Sequence, residues 1–247
     1  MEKDISIVIP IYSDANIIGK TIDNVLHFFD VENLVGEIVI VNDGGQESGV
    51  QVVKEKMKNT DRINLIDRKE NKGKGFSVRE GINHSVGKFI FYTDADLPYG
   101  TEYIKQMYKK LNNGECDLIL ANRNLSNDGA MKKVPFIRKL MHRVYAFFVG
   151  ALIIKFSDTQ AGLKGMNKNL AGMIVPHLTI DRFAFDVELI FLAKKNGFKI
   201  GELPVILQQS GKSNLKIIFD SPQMVKDVFK ILKNNRAGLY DLKKDQL

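Results

Sequence analysis

The apolar residues of the first 122 positions form short runs of strand character that alternate with stretches of helical periodicity. The runs are rich in β-branched and aromatic residues and predict strands over residues 5–9, 37–42, 63–67, 89–93 and 117–121. Apolar residues at helical spacing predict helices that begin after Asp14 and lie near residues 48–58, 75–85 and 101–111. This alternation predicts an α/β fold with a mostly parallel sheet covered by helices on both faces.

The second half of the chain has a less regular pattern. It predicts strands over residues 162–166 and 199–207 and helices over residues 182–196 and 222–234. Residues 131–156 contain five cations between positions 132 and 143 and apolar residues at near-helical spacing, which predicts an amphipathic helical extension. Because the sequence contains no internal repeat or linker, we expect one domain over residues 1–247, with halves 1–122 and 123–247.

The composition narrows the class of protein. With 44% apolar and 26% charged residues in 247 positions, the chain is of ordinary globular type. Its one cysteine, Cys116, excludes an internal disulfide, and the uncharged apolar run 144–154 is shorter than the ~20 residues of a membrane-spanning helix. Because no secretory signal opens the sequence, we expect a cytoplasmic protein. The net charge of +7 suits a nucleotide, a phosphorylated lipid, an anionic membrane or nucleic acid.

Acidic residues follow three of the predicted strands. Asp14 follows the first strand, Asp43 the second, and Asp94 and Asp96 the fourth. In a parallel sheet these carboxylates converge on one edge, where ligands bind. Asp94 and Asp96 are separated by one small residue, so a turn can direct both at a hard cation that bridges a diphosphate. The alternative is that these aspartates only form turns or cap helices.

Residues 71–75, Asn-Lys-Gly-Lys-Gly, connect the third predicted strand to a helix. Flexible backbone, free amides and two lysines make this loop a candidate phosphate site, and the alternative is a purely structural helix start. The loop lacks the Gly-Lys-Ser/Thr of a nucleoside-triphosphate-binding loop. The first strand is not followed by Gly-x-Gly-x-x-Gly, which disfavours a dinucleotide-dependent dehydrogenase.

Six segments carry a resemblance to a known family, and they are residues 10–14, 41–45, 71–75, 94–96, 158–162 and 182–188. They resemble the Pro-x-Tyr-Asn-Glu, Val-Asp-Asp-Gly-Ser, Asn-x-Gly-Lys-Gly, Asp-x-Asp, Asp-Thr-Gln-x-Gly and Arg-x-x-Phe-Asp-x-Glu elements of family-two inverting glycosyltransferases. The last two elements are typical of the polyprenyl-phosphate (dolichyl-phosphate) members. The chain departs from mannosyl members of the family at two positions. Pro98 stands where some of those members have a further metal-site Gln, and Gln208 stands where many of them have an Arg.

The resemblance implies a GT-A fold and a set of site residues. Nucleotide contacts are expected from Pro10, Tyr12, Asp14, Asp43, Lys74 and Asp94. Asp94 and Asp96 are expected to bind Mg²⁺ or Mn²⁺, and Asp96, Asp158 and Glu188 are the catalytic candidates. The acceptor phosphate is expected to contact Arg123, Gln160, Arg182, Lys212 and Ser213.

The chemistry of the acceptor decides whether a base is needed. A cation bound by Asp96 stabilises the charge that develops on a departing nucleoside diphosphate. A phosphate acceptor is already anionic near neutral pH, because its second ionisation falls near pH ~6, so it needs positioning more than deprotonation. A hydroxyl acceptor would need a carboxylate base, for which Asp158 or Glu188 are candidates. The alternative for both is a structural role, either anchoring Arg182 or capping local backbone.

The amphipathic stretch 131–156 has two interpretations. The five cations between positions 132 and 143 can reach the headgroups of an anionic membrane, or they can form a solvated face of a helix packed on the core. These cations are Lys132, Lys133, Arg138, Lys139 and Arg143. The resemblance to lipid-phosphate transferases favours the membrane. No nucleic-acid-binding motif accompanies these cations, so we expect no nucleic-acid partner.

We therefore expect inverting transfer of a sugar from a nucleotide-sugar to a polyprenyl phosphate, by a protein bound peripherally to the cytoplasmic face of a membrane. The resemblance of residues 182–188 to glucosyl-type members favours UDP-glucose or UDP-N-acetylglucosamine over GDP-mannose. One alternative is transfer to a hydroxyl of a glycan or cell-wall polymer. Another is a module that binds a nucleotide-sugar or a membrane without catalysis.

Overall fold

The computed structural model describes residues 3–125, 158–208 and 217–242. These residues form a seven-stranded sheet with helices on both sides. The strands are β1 (Ile5–Ile11), β2 (Gly36–Asp43), β3 (Ile63–Arg68), β4 (Phe89–Thr93), β5 (Leu118–Asn122), β6 (Leu163–Asn167) and β7 (Ile200–Pro204). Their order across the sheet is β3-β2-β1-β4-β6-β5-β7.

The pairing of the strands is mostly parallel. β1 pairs in parallel with β2 and β4, β2 with β3, and β5 with β7. Strand β6 lies antiparallel between β4 and β5, with Phe91 opposite Gly165 in the register. This confirms the predicted α/β class, while the antiparallel insertion of β6 was not predicted.

The helices divide between the two faces of the sheet. They are α1 (Ala15–Val31), α2 (Glu47–Met57), α3 (Lys74–His84), α4 (Gly100–Asn112), α5 (Lys168–Ile174), α6 (Phe185–Lys195) and α7 (Ile217–Arg236). One buried cluster joins α1, α2 and α4 to residues such as Ile5 and Ile7 of β1. A second cluster joins α3, α5, α6 and α7 to the opposite face, where Val8 lies. The alternation of side chains along β1 explains how one strand serves both cores.

The predicted elements agree with the structure except at their ends. The helix expected over 182–196 begins only at Phe185, since residues 182–184 form the turn before it. The strand expected over 199–207 ends at Pro204, and the helix expected over 222–234 extends from Ile217 to Arg236.

Both halves of the described chain contribute strands to one sheet. The prediction of one domain over residues 1–247 stays a prediction. The amphipathic stretch 131–156 lies outside the described residues. Among the helices of the described segments, none combines the length and apolar composition needed to cross a bilayer.

The connections of the strands locate the binding edge. Helices α1 and α2 lie on one face, and α3, which leads from β3 to β4, lies on the other. The chain therefore changes direction between the neighbouring strands β1 and β4. In open α/β sheets, ligands bind beyond the carboxyl ends of the strands at such a switch point. Asp14 follows β1 and Asp94 follows β4, so they flank this crevice.

Candidate functional site

Three carboxylates come together at the switch point. Burial raises the pKa of Asp96, and the negative charges of Asp94 and Asp14 raise it further. The sequence predicted that Asp14, Asp43, Asp94 and Asp96 converge, and the structure brings Asp14 and Asp94 close enough to Asp96 for their charges to act on its carboxyl.

The turn after β4 is anchored and strained. The hydroxyl of Thr21 in α1 donates to the carbonyl of Ala95 over 2.6 Å, which fixes the centre of the Asp94–Asp96 turn. Leu97 has a φ of 46°, a left-handed conformation that is uncommon for a residue with a large side chain. Such a conformation costs of order 1–3 kcal/mol and persists where the surroundings determine it. The turn therefore presents its two carboxylates in a fixed arrangement.

Lys74, the first residue of α3, forms an ion pair with Asp94. Burial opposes the charged form of Lys74, but the carboxylates of Asp94 and Asp186 outweigh it and raise its pKa. The charged form of Lys74 is therefore favoured beside the aspartate cluster, where the sequence predicted a phosphate contact.

Asp43 holds the loop before α3 in place. Its carboxylate accepts from the guanidinium of Arg68, from the amide of Lys72 over 2.8 Å and from the amide of Gly73 over 2.9 Å. The expectation of free amides in this loop is therefore wrong at Lys72 and Gly73, because Asp43 already uses both. Gly73 has a φ of 103°, and a side chain there would collide with the backbone of Asp181. Its role is close packing between two loops.

The loop after β1 lies against the loop after β2. The carbonyl of Tyr12 accepts from the amide of Gln46 over 3.0 Å, and a side chain at Gly45 would overlap that carbonyl. Asp14 accepts from the amide of Tyr12 over 2.9 Å. The Tyr12 side chain is 53% exposed at this edge, next to Pro10 at the end of β1. An exposed aromatic ring of this kind can stack on a planar base.

Asp158 is locked to Arg123. The guanidinium of Arg123 donates to both carboxylate oxygens of Asp158, over 2.7 and 2.8 Å, and its amide donates as well. Burial opposes ionisation of Asp158, but these bonds and the charge of Arg123 prevail and lower its pKa. The negative charge of Asp94, and that of Tyr99 in its ionised form, also act on Arg123. Arg123 therefore lies on the same side of the sheet as the aspartate cluster. Burial raises the pKa of Tyr99 to about 12, so this phenol is neutral at physiological pH.

Glu188 has a structural environment. It is fully buried in α6, and its oxygens accept from the amides of Thr179 and Ile180 and from the hydroxyls of Thr179 and Tyr240, over 2.5 to 2.9 Å. A carboxylate with four donors from its own chain has no access to an acceptor. The prediction that Glu188 is catalytic therefore has no support in this geometry, and its structural alternative explains the contacts.

A buried network that the sequence analysis missed lies beneath the aspartate cluster. Lys164 of β6 is fully buried, its Nζ lies 2.6 Å from Asp186, and it donates to the carbonyl of Ala161 over 2.8 Å. The hydroxyl of Tyr92 donates to Asp186 over 2.5 Å, and burial raises the pKa of this phenol well above its usual value. The network ties the end of β4 to α6 and to residues 158–162. A lysine inside an otherwise apolar strand was the signal for it.

The segment 158–162 also contacts the cluster directly. A side chain at Gly162 would overlap the carboxylate of Asp94, so the backbone must stay bare there. The side-chain amide nitrogen of Gln160 is buried and has no hydrogen-bond partner within the described part of the chain. A buried donor without a partner is costly and is a place for a ligand oxygen. Of the other predicted acceptor residues, Arg182 is exposed on the loop before α6, and Lys212 and Ser213 lie outside the described residues.

Asp94 and Asp96 fit a divalent cation in part. No group of three or more His, Cys, Asp or Glu residues is arranged for a metal ion in residues 3–125, 158–208 and 217–242. Two carboxylates supply the hard oxygen ligands that Mg²⁺ and Mn²⁺ prefer, and such ions commonly take one or two carboxylates plus substrate phosphates. The donor set therefore suits a cation that binds together with a diphosphate.

These features place an aspartate cluster and the ammonium of Lys74 at the switch point of a mostly parallel α/β sheet. The family model described as Glycosyl transferase family 2 matches residues 6–172. Because this match covers more than half of the chain, the protein belongs to glycosyltransferase family 2.

Curated relatives match almost the whole chain. Dolichyl-phosphate beta-glucosyltransferase of Saccharomyces cerevisiae is 30% identical over 96% of this chain and 76% of its own. The enzyme of the same name from Dictyostelium discoideum is 28% identical over 97% of this chain and 77% of its own. Among solved structures, glucosyl-3-phosphoglycerate synthase of Mycobacterium tuberculosis with UDP has a TM-score of 0.72 at 13% identity, covering 93% of this chain and 80% of that one. At that identity the likeness supports the GT-A fold alone.

Proposed function

We propose that this protein transfers glucose from UDP-glucose to a polyprenyl phosphate of the dolichyl type, with inversion at the anomeric carbon. The carrying observation is the gathering of Asp14, Asp94, Asp96 and Lys74 at the β1–β4 switch point. The names of the relatives support glucose as the sugar and dolichyl phosphate as the acceptor.

The donor occupies the crevice between β1 and β4 in this proposal. Tyr12 stacks on the base, and Asp14 lies nearest the ribose. Asp94 and Asp96 hold Mg²⁺ or Mn²⁺, which when bound neutralises charge on the diphosphate. Lys74 stays protonated beside Asp94 and adds a second positive charge where the leaving group departs.

The acceptor is a phosphate because the two candidate bases are occupied. Asp158 is held ionised by Arg123, and Glu188 is buried among four donors. A hydroxyl nucleophile would need a proton acceptor, whereas a phosphate monoester is already anionic. Arg123, positioned by Asp158, supplies the cation that such an acceptor needs, and the side-chain amide of Gln160, which has no partner among the described residues, supplies the donor. Transfer to a glycan hydroxyl remains the alternative, and no contact in the described residues favours it.

The membrane prediction is part of the same proposal. A polyprenyl phosphate resides in a bilayer, so the protein must reach a membrane surface, and the basic residues of 131–156 are the predicted contact. The cytoplasmic face stays a prediction.

The proposal is tested by product analysis. The purified chain is incubated with radiolabelled UDP-glucose, Mg²⁺ and dolichyl phosphate in detergent, with UDP-N-acetylglucosamine and GDP-mannose as alternative donors. We expect label in the organic phase from UDP-glucose, released as free glucose by mild acid. Label confined to a water-soluble product, or equal use of GDP-mannose, would contradict it.

A further inference from the structure

A polar pocket of about 160 Å³ lies between the loop that precedes α6 and helix α7. Residues 179–182 form one wall, and Gln223, Asp227 and Lys230 of α7 form the other. Nothing in the donor site described above uses these α7 residues.

The pocket is built on a fixed frame. On one side, Lys230 donates to the carbonyl of Thr179 over 2.9 Å, which joins α7 to the loop. On the other side, the amide of Phe76 donates to the carbonyl of Asp181 over 3.0 Å, which joins the loop to α3. The loop therefore contacts both α7 and α3, and its residue Arg182 lines the pocket.

Asp227 brings an unsatisfied acceptor into this pocket. Asp227 is only 7% exposed, and one oxygen of its carboxylate accepts from the side-chain amide of Gln223 over 2.8 Å. The other oxygen, Oδ2, is buried and has no hydrogen-bond partner within the described segments. A buried, unpaired carboxylate oxygen is costly, so a site of this kind gains when a ligand brings a proton to it. Burial raises the pKa of Asp227, which accords with a missing partner.

Two cations flank Asp227 across the pocket. Lys230 lies one turn along α7, and Arg182 lies on the loop; both positive charges act on the Asp227 carboxyl. Asp181 also lines the pocket, where its negative charge acts on Asp227, and Arg79 pairs with Asp181 over 2.7 Å. Apart from the Arg79–Asp181 pair, the pocket therefore has two positive charges, on Arg182 and Lys230, beside the Asp227 carboxylate, whose oxygen Oδ2 lacks a proton donor in the described residues.

We propose that this pocket binds a phosphate monoester, with Arg182 and Lys230 facing its charge and Asp227 sharing its proton. A phosphate monoester loses its second proton near pH ~6, so at neutral pH it can still share a proton with a carboxylate. Sulfate and phosphate diesters have no such proton, and a carboxylate repels them. Asp227 is therefore the residue that selects phosphate. The binding of a phosphate monoester does not depend on the proposed function. The idea that this phosphate belongs to a lipid rests on the proposed function.

Calorimetry with the full chain tests the selectivity. Saturating UDP and Mg²⁺ occupy the donor site, and inorganic phosphate or sulfate is titrated at low ionic strength. We expect phosphate to bind about tenfold or more tightly than sulfate, the ratio that one hydrogen bond to a charged group supplies. Equal binding of the two anions, or no phosphate binding, would overturn the proposal.

Variants assign the effect to the pocket. Asp227→Asn keeps the shape and supplies an amide donor, so we expect sulfate to bind as well as phosphate. Lys230→Met is expected to weaken both anions about tenfold. Lys226→Met, an exposed lysine of the same helix outside the pocket, serves as the control and should bind like the parent chain. An unaltered phosphate preference in a folded Asp227→Asn chain, verified by its melting temperature, would overturn the assignment.

Two further arms distinguish the source of the phosphate. If the ligand is a soluble ester, glycerol 3-phosphate binds like inorganic phosphate, and the KM of Asp227→Asn for polyprenyl phosphate stays unchanged. If the ligand is the phosphate of the lipid acceptor, bound in this pocket before it reaches Arg123 and Gln160, that KM rises about tenfold with kcat retained. Vesicles of phosphatidylcholine with polyprenyl phosphate should then bind more tightly than vesicles with the diester phosphatidylglycerol. Phosphate binding is measured without turnover, so absence of glucosyl transfer by the parent chain would contradict the proposed function alone.

Discussion

The acidic residues at the β1–β4 switch point and those around α6 were both singled out by sequence, or lie beside residues that were, but they have different surroundings. At the β1–β4 switch point, the charges of Asp94 and Asp14 act on Asp96, and burial with this repulsion raises the pKa of Asp96. Around α6, Glu188 accepts from four donors of the protein itself, and Asp186 accepts from Tyr92 and lies 2.6 Å from Lys164. The difference teaches that like charges crowd together at the switch point, whereas donors from the protein hold the carboxylates around α6 in place.

The largest effect is expected at the switch point. Asp96→Ala removes a cation ligand and should lower kcat by about a thousandfold, since electrostatic stabilisation of the leaving group is lost. The measurement is turnover of radiolabelled UDP-glucose at saturating Mn²⁺, beside a thermal melt that shows a folded chain. Asp61→Asn, an exposed aspartate outside the site, is the control with normal turnover. Full activity of Asp96→Ala would mean that the metal assignment is wrong.

A smaller loss is expected where a satisfied carboxylate positions a cation. Asp158→Asn removes the charge that holds Arg123 and should lower kcat/KM for the acceptor by about a hundredfold. If Asp158 acts through Arg123, the same substitution has little further effect in an Arg123→Gln background, which a double-mutant cycle measures. Additive losses would instead give Asp158 a role of its own in the reaction.

The wholly buried region should affect folding more than turnover. Glu188→Gln replaces a carboxylate that accepts from four donors, and we expect about 3 kcal/mol less free energy of unfolding in urea. Activity per folded molecule should stay within about twofold, because no reacting group contacts Glu188. Tyr240→Phe removes one of the four donors and should cost about 1 kcal/mol. Loss of turnover in a fully folded Glu188→Gln chain would restore Glu188 as a catalytic candidate.

The smallest effect is a dependence of stability on pH. The folded pKa of Asp158 is lowered, so its contribution to stability is present above the unfolded value near ~3.9 and is lost as pH falls through the folded value. The difference in melting temperature between the parent chain and Asp158→Asn should therefore be constant near neutral pH and shrink below about pH 4. A difference that persists unchanged in acid would show that the ion pair does not stabilise the fold.

The strands and the carboxylates at their ends could be predicted because their signals are local. A β-branched run followed by Asp identifies β1 or β4 without knowledge of the rest of the chain. The partner of Asp43 could not be predicted, because Arg68 faces it only through the register of β2 and β3. The glycines of the loop before α3 were interpreted as a phosphate site, whereas Gly73 is required by the approach of Asp181.

The buried network shows a second limit of local patterns. Lys164 has the composition of an exposed residue, and its burial depends on Asp186, which follows 22 positions later on another element. The antiparallel placement of β6 has the same origin, since strand order depends on contacts between distant parts of the chain. Sequence therefore located the aspartates at the strand ends, but not Arg68 and Lys164, the cations that pair with Asp43 and Asp186.

The most direct test is a crystal structure of the protein with UDP and Mn²⁺, with the ion located by its anomalous scattering. We expect manganese bound by the carboxylates of Asp94 and Asp96 and by the diphosphate, with the uracil against Tyr12. Manganese or UDP bound away from the crevice between β1 and β4 would contradict the assignment of the site.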